Sequence, residues 1–430
     1  MFKLYSISIC LVLLMGNCQP NNQEYTVSTT SGQMTSAPSR PLVKIYLETS
    51  LSMKGYADAN VPGDYTFKEV IPFLITDIDN RIGESKLFTV ADAPEIYTRS
   101  KDDFYTSLRN GQLFKNRSSK LHHIFNNVID SLRPQEAAII ISDCILDLGN
   151  ADLNFTERGM IVHSIYNRLT QSKIAAAVFQ YYSDFNGAYY YDRQNTGSRI
   201  ASARPFYGDV MKKRPFYVWV LGDVAVIKKM LREDVFRDYE NTELFGLEFN
   251  DDIKVQLLSH PRKGKVIVAP EKSRFVVIEN SQSRPAQISL GLNLSVLPAT
   301  LATPSFLQSH FQFNQSHIDG EVGVINKEDI DTEKEYTEVR PVMSREKLTH
   351  LLSLSFTNLS ETSGDFQLQL HKPEARWTRQ AHLDDDVEIS LASLEGKTYA
   401  FQSLMEAFYK AYDESPTLLT INFKETINQP

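Results

Sequence analysis

The stretch EAAIIISDCILDL, Glu136–Leu148, decides the fold. Ala137 to Ile141 form an unbroken apolar run, the pattern of a central strand covered on both faces. The run stops at Ser142-Asp143, so a carboxylate emerges at the strand's end. Upstream, LVKIYLETSLSMKGY, Leu42–Tyr56, is built alike. Val43, Ile45 and Leu47 alternate with Lys44 and Tyr46, and the strand runs straight into Glu48-Thr49-Ser50-Leu51-Ser52. Such a loop has two readings: oxygen ligands for a hard metal ion, or the capped start of a helix.

Between and after these two strands, helical stripes alternate with further strands. In FKEVIPFLITDI, Val70, Phe73, Leu74 and Ile78 share a face; in SSKLHHIFNNVIDSL, Leu121, Ile124, Phe125, Val128 and Leu132 do so. KLFTVA, KIAAAVFQYY and RPFYVWVLG read as strands, GMIVHSIYNRLTQS and DVAVIKKMLRED as helices. This alternation predicts an α/β domain over 42–244, a doubly wound and mainly parallel sheet. The strand KIAAAVF leads into a long insertion, 182–213. With its flank it carries Tyr181, Tyr182, Tyr189 and Tyr190, residue types that supply rigid contact area at recognition surfaces. The other reading is an insertion packing its own aromatics.

From 245 to 430 the rhythm changes. IKVQLLSH, GKVIVAP, SRFVVIEN, AQISLGLNLSVLP, HLLSLSFTNLS and DFQLQLHK are short alternating runs divided by turn residues. They predict a mostly β, sandwich-like domain. TYAFQSLMEAFYKAYDE reads as a late helix, through Phe401, Leu404, Met405 and Phe408. INKEDIDTEKEYTEVRP reads as a solvated loop, and the Asp384–Asp386 run as a solvated turn without calcium-loop spacing.

The N-terminus reads as an export signal, residues 1–18, with a short apolar run from Ile7 to Met15. The order LLMGNC, then a polar stretch, resembles the lipobox of bacterial lipoproteins, although Asn17 stands where Gly or Ala is usual. That resemblance implies acylation of Cys18, attachment to a lipid bilayer and a place in the cell envelope. Residues 19–41, rich in Ser, Thr, Asn, Gln and Pro, predict a disordered tether. The remaining thiol outside the signal, Cys144, ends an apolar run and reads as a small core residue. The chain has 430 residues and a net charge of −8. That balance excludes a nucleic-acid partner, which needs a basic surface.

The strand order, with ETSLSM after the first strand and SDCILD after the central one, resembles the von Willebrand factor A-type domain. The resemblance covers about 200 residues, a domain-sized stretch. It implies a divalent ion, Mg or Mn, at the C-terminal edge of the sheet, holding a carboxylate of a protein partner. Position by position, it implies Glu48, Ser50, Ser52 and Asp143 as ligands, with Ser118 or Ser119 at the family's Thr position. Glu48 departs from the family's Asp.

These readings lead to an exported, membrane-tethered binding or scaffold protein, with a binding role favoured over catalysis. One alternative is a metal-dependent hydrolase of phosphate or sulfate esters, with Ser50 as nucleophile and Asp143 as ligand. Against it, no His stands at ligand spacing, and neither a G-x-S-x-G elbow nor a Gly-rich phosphate loop is present. A second alternative is a structural envelope subunit whose ion site is lost, which Glu48 supports.

Overall fold

A strand buried on both faces needs a cover on each side, and Glu136–Ser142 receives both. The computed structural model describes residues 23–29, 40–62, 66–91, 93–116, 120–146, 154–190, 203–205, 210–269, 273–316, 318–359, 364–372, 375–384, 391–412 and 417–425. The strand lies inside a seven-stranded sheet. Its order is Asn241–Phe245, Ala175–Phe185, Met211–Gly222, Glu136–Ser142, Leu42–Glu48, Glu84–Val90 and Pro94–Ile96. Val43, Ile45, Leu47, Ile139 and Ile141 point into one core with Ile71 and Leu74 of the helix Phe67–Asp77 and Val226 and Ile227 of the helix Val224–Arg232. Tyr46, Ala138, Ile140 and Trp219 point to the opposite core, with Ile124 and Phe125 of the helix Leu121–Ser131 and Ile165 of the helix Asn154–Ser172.

The sheet is mixed rather than mainly parallel. Leu42–Glu48 pairs in parallel with both Glu84–Val90 and Glu136–Ser142. Met211–Gly222 is antiparallel to Glu136–Ser142 and to Ala175–Phe185, and Asn241–Phe245 is antiparallel to the latter. The physical reason is the connection after Phe185. It returns as an extended hairpin instead of a crossover helix, and a hairpin makes antiparallel neighbours.

The second half contains two antiparallel sheets. One is six-stranded, in the order Lys265–Val268, Arg274–Glu279, Gln23–Thr29, Thr417–Glu425, Phe366–His371 and Phe311–Phe313. The other is four-stranded: Val255–Lys263, Ala286–Leu292, His350–Phe356 and Gly320–Asn326. Phe356 of the second sheet meets Phe366 of the first edge-to-face, with ring centroids 5.7 Å apart.

Both chain ends correct the expected domain plan. The stretch assigned to a disordered tether supplies Gln23–Thr29, an inner strand of the six-stranded sheet, paired on both sides. EYTVS alternates, so Tyr25 and Val27 turn inward while Thr26 turns away. Tyr25 is fully buried, with ring centroids 5.4 Å from both Phe275 and Phe366. At the other end, the helix Phe401–Tyr412 leaves the β half and covers the seven-stranded sheet. Phe408 stands 4.5 Å from the Trp219 ring and 5.8 Å from Phe125. The segment read as a solvated loop forms the short helices Lys327–Thr332 and Arg340–Arg345. Ile330, Tyr336, Val339 and Met343 bury a small cluster with Leu258 and Leu351. Their helical spacing outweighs the surrounding charge. Among the described residues no helix is long and apolar enough to cross a membrane.

Candidate functional site

The parallel strands Leu42–Glu48 and Glu136–Ser142 stop side by side, so Glu48 and Asp143 emerge at the same C-terminal edge. The chain after Glu48 is held in place by its backbone. The Thr49 N–H donates to Val90 O at 2.9 Å, Leu51 N–H donates to Asn116 O at 2.8 Å, and Asn116 N–H donates to Thr49 O at 3.2 Å. Leu51–Ala57 then winds into a 3₁₀ turn. Ser50 precedes this turn without capping it through its side chain. Gly55 sits so close to Phe185 that a Cβ there would stand 2.4 Å from the ring.

Four of the sequence-derived candidates come together here. Ser50 Oγ donates to Glu48 Oε1 at 2.7 Å and lies 2.8 Å from Ser52 Oγ. Ser142 Oγ donates to Glu48 Oε2 and accepts the Cys144 N–H at 2.8 Å. Asp143 Oδ1 accepts the Ile145 N–H at 3.2 Å, and the Asp143 N–H donates to Met53 Sδ at 3.2 Å. Glu48, Ser50 and Asp143 are buried; Leu51 and Ser52 are half-buried at the mouth.

Counting protons exposes a deficit. Each hydroxyl has one to give. Ser142 and Ser50 spend theirs on Glu48. The Ser52 proton faces two acceptors, Ser50 Oγ and the Asp143 carboxylate, whose pKa it helps to lower. Asp143 Oδ2 is left buried without a hydrogen-bond partner. Burial pushes the Asp143 carboxyl above its ordinary value, against the opposing pull of the Arg214 guanidinium. Arg214 is itself 1% exposed; its Nη1 donates to Lys397 O at 2.9 Å and the group lies 5.2 Å from the centre of the Tyr189 ring. Asp143 thus has one buried guanidinium as its counter-charge, and both it and Glu48 act on the buried Cys144 thiol.

This donor set fits a hard divalent cation. All its atoms are carboxylate or hydroxyl oxygens, the ligands such ions take. Adjacent oxygens around an octahedral Mg lie about 2.9 Å apart, given metal–oxygen bonds near 2.0–2.1 Å. The Ser50–Ser52 separation of 2.8 Å is compatible with that spacing, and it is equally the length of an ordinary hydroxyl hydrogen bond. Among the described residues no group of three or more His, Cys, Asp or Glu side chains is placed to hold a metal. Any ion here therefore depends on the serine hydroxyls.

Other candidates fall elsewhere. Ser118 and Ser119 lie outside the described residues, two and three positions beyond Asn116, which bridges to Ser50. Cys18 is outside them too. Tyr181 and Tyr189 are not on a recognition surface: both are buried. Tyr181 stacks on Phe216 at 5.2 Å, because its strand continues inward with the alternation of KIAAAVFQYY. Tyr182 is half-buried beside the turn at Gly396, where a Cβ would stand 3.4 Å from its hydroxyl. The Tyr190 side chain is outside the described set. Sequence reasoning missed Ser142, Arg214 and Thr398. Ser142 was legible, as the hydroxyl next to the strand-end carboxylate. Arg214 stands between two exposed lysines and an apolar strand, and nothing in that context signals a buried cation. Thr398, whose Oγ1 donates to Asp143 O at 3.4 Å, comes from the far end of the chain.

No family model and no curated protein matches this chain. Among solved structures, it is similar to a von Willebrand factor type A from Catenulispora acidiphila, at 10% identity over 64% of this chain and 71% of that one. The TM-score is 0.15, too low to carry an argument about this fold.

Proposed function

We propose that this chain is a membrane-tethered, extracytoplasmic binding protein. Its α/β half captures a protein partner at the sheet edge bearing Glu48, Ser50, Ser52 and Asp143. Its two antiparallel sheets form a sandwich that serves as the supporting body. Ser50, Ser52 and Asp143 would hold Mg or Mn, with Glu48 orienting Ser50. The ion would supply a Lewis-acid site for a partner's carboxylate. The observation that carries this reading is the buried Asp143 Oδ2 without a hydrogen-bond partner, at the same sheet edge as Ser50 and Ser52, whose oxygens stand 2.8 Å apart. The half-buried Ser52 and Leu51 give a partner its approach.

The test is thermal unfolding with Mg, Mn or Ca, on a chain that retains Gln23–Thr29. A ligand that binds only the folded state stabilises it by about 2.7 kcal/mol at a hundredfold excess over Kd. The parent should gain stability with Mg or Mn, and Ser50→Ala/Ser52→Ala should not. Arg214 favours a second reading, a structural subunit in which the guanidinium permanently serves as the counter-charge. No shift with any ion in the parent would select that reading.

A further inference from the structure

The outer edge of the six-stranded sheet, at Lys265–Val268, carries a feature that the ion site does not use. The edge strand Lys265–Val268 and its neighbour Arg274–Glu279 pair with Ile267 opposite Val276. Side chains two apart on a strand share a face, so Ile267, Val276 and Ile278 lie together on the face away from the core residues Val266, Phe275 and Val277. Ile267 is 53% exposed and Ile278 37%. Around them the charge is inverted relative to the acidic chain. The described residues of 260–269 and 273–285 carry Arg262, Lys263, Lys265, Arg274 and Arg284 against a single carboxylate, Glu279. Lys265 and Arg284 both reach Glu279, at 2.5 Å and 3.3 Å, and Arg274 pairs with Glu24 of the next strand. With Glu24 included, five cations stand against two carboxylates, so the surplus in this part of the sheet is cationic.

The chain itself leads to this place. Gln23 opens the adjacent strand and pairs with Val277, at the sheet end where Lys265 pairs with Glu279. Cys18 is five residues upstream. Fully extended, that stretch spans at most about 17 Å. We infer that this face, with Ile267 and Ile278 at its centre and Lys263, Lys265 and Arg284 at its rim, rests on an anionic lipid bilayer. The inference rests on the tethered reading above and deepens it: the acyl anchor and the cationic face are two signals for one membrane, and stable attachment takes two. Lys and Arg within a Debye length of anionic headgroups are attracted to them, and the isoleucines would enter the interfacial layer.

The test uses the full chain, purified from membranes and returned to vesicles with or without phosphatidylglycerol. Ile267→Cys and Ile278→Cys are labelled with an environment-sensitive fluorophore, and the exposed Met160→Cys, on the α/β half, serves as reference. Both β-sheet labels should brighten severalfold in anionic vesicles and be quenched by brominated lipid, while the reference stays constant. Lys263→Glu/Lys265→Glu/Arg284→Glu should abolish the brightening. If the chain floats with vesicles but both labels behave like the reference, the face is not on the membrane and the inference is wrong, although the tether stands. If the two labels report instead on a second copy of the chain, through excimer emission that persists without lipid, the face is a dimer interface and the inference is equally wrong. If the chain does not float and Cys18 remains a free thiol, the tethered reading fails and takes this one with it.

Discussion

The two ends of the chain do opposite things to the two halves of the molecule. Gln23–Thr29, from the N-terminus, completes the β half, while Phe401–Tyr412, from the C-terminus, covers the α/β half. Each half is therefore closed by a segment remote from it in sequence. The lesson concerns cooperativity. A boundary near residue 245 marks a change of rhythm, not a place where the molecule can be cut, because buried contacts cross it in both directions. Core residues of the α/β half and of the antiparallel sheets also belong to one continuous cluster.

The largest effect should come from starting the chain at Leu42. That removes an inner strand and exposes both of its neighbours, so the β half should lose its cooperative transition in circular-dichroism melts. An unchanged melt would break the comparison. Phe408→Ala at the other end should cost about 3–5 kcal/mol in urea unfolding, as for other large aromatic truncations in cores. If that variant left the α/β half unaffected, the covering helix would be dispensable. At the site, Ser142→Ala should destabilise by about 1–3 kcal/mol, since the buried Glu48 then loses the donor to its Oε2. The smallest effect is a pH dependence. The Asp143 carboxyl is raised from its ordinary value of 3.8, so the folded state holds its proton more tightly than the unfolded one. Its contribution to stability is full below that value and is lost as pH rises through the folded pKa. The difference in melting temperature between the parent and Asp143→Asn, in metal-free buffer, should shift against the parent over that window. A difference independent of pH would contradict the assignment.

How much of this was legible in the sequence depends on what each residue's role rests on. The strand ends at Glu48 and Asp143 were readable because apolar runs stop there abruptly, and the helical stripes because their period is local. The strand Gln23–Thr29 was hidden. Its inward residues, Tyr25 and Val27, are too few to stand out among Ser, Thr and Gln, and its stability comes from partners some 250 and 400 positions away in pairings such as Glu24–Val276 and Tyr25–Glu425. The antiparallel placement of Met211–Gly222 was hidden for the same reason, since strand direction is set by the connection and not by composition. Arg214 was invisible because its burial depends on Lys397 and Tyr189, contributed by two other segments. The tyrosines misled because composition alone cannot tell a surface aromatic from a core one. Tyr181 belongs to the apolar alternation of its strand, and following that alternation further would have turned it inward.

The central claim is that the Ser50–Ser52–Asp143 edge holds one divalent ion. Its most direct test is a Mn titration followed by electron paramagnetic resonance, in which free Mn gives the signal and bound Mn is silent. The account predicts one bound ion per chain, displaced by Mg and lost in Ser50→Ala/Ser52→Ala. Equal Mn binding by the parent and that variant, or none by either, would contradict it.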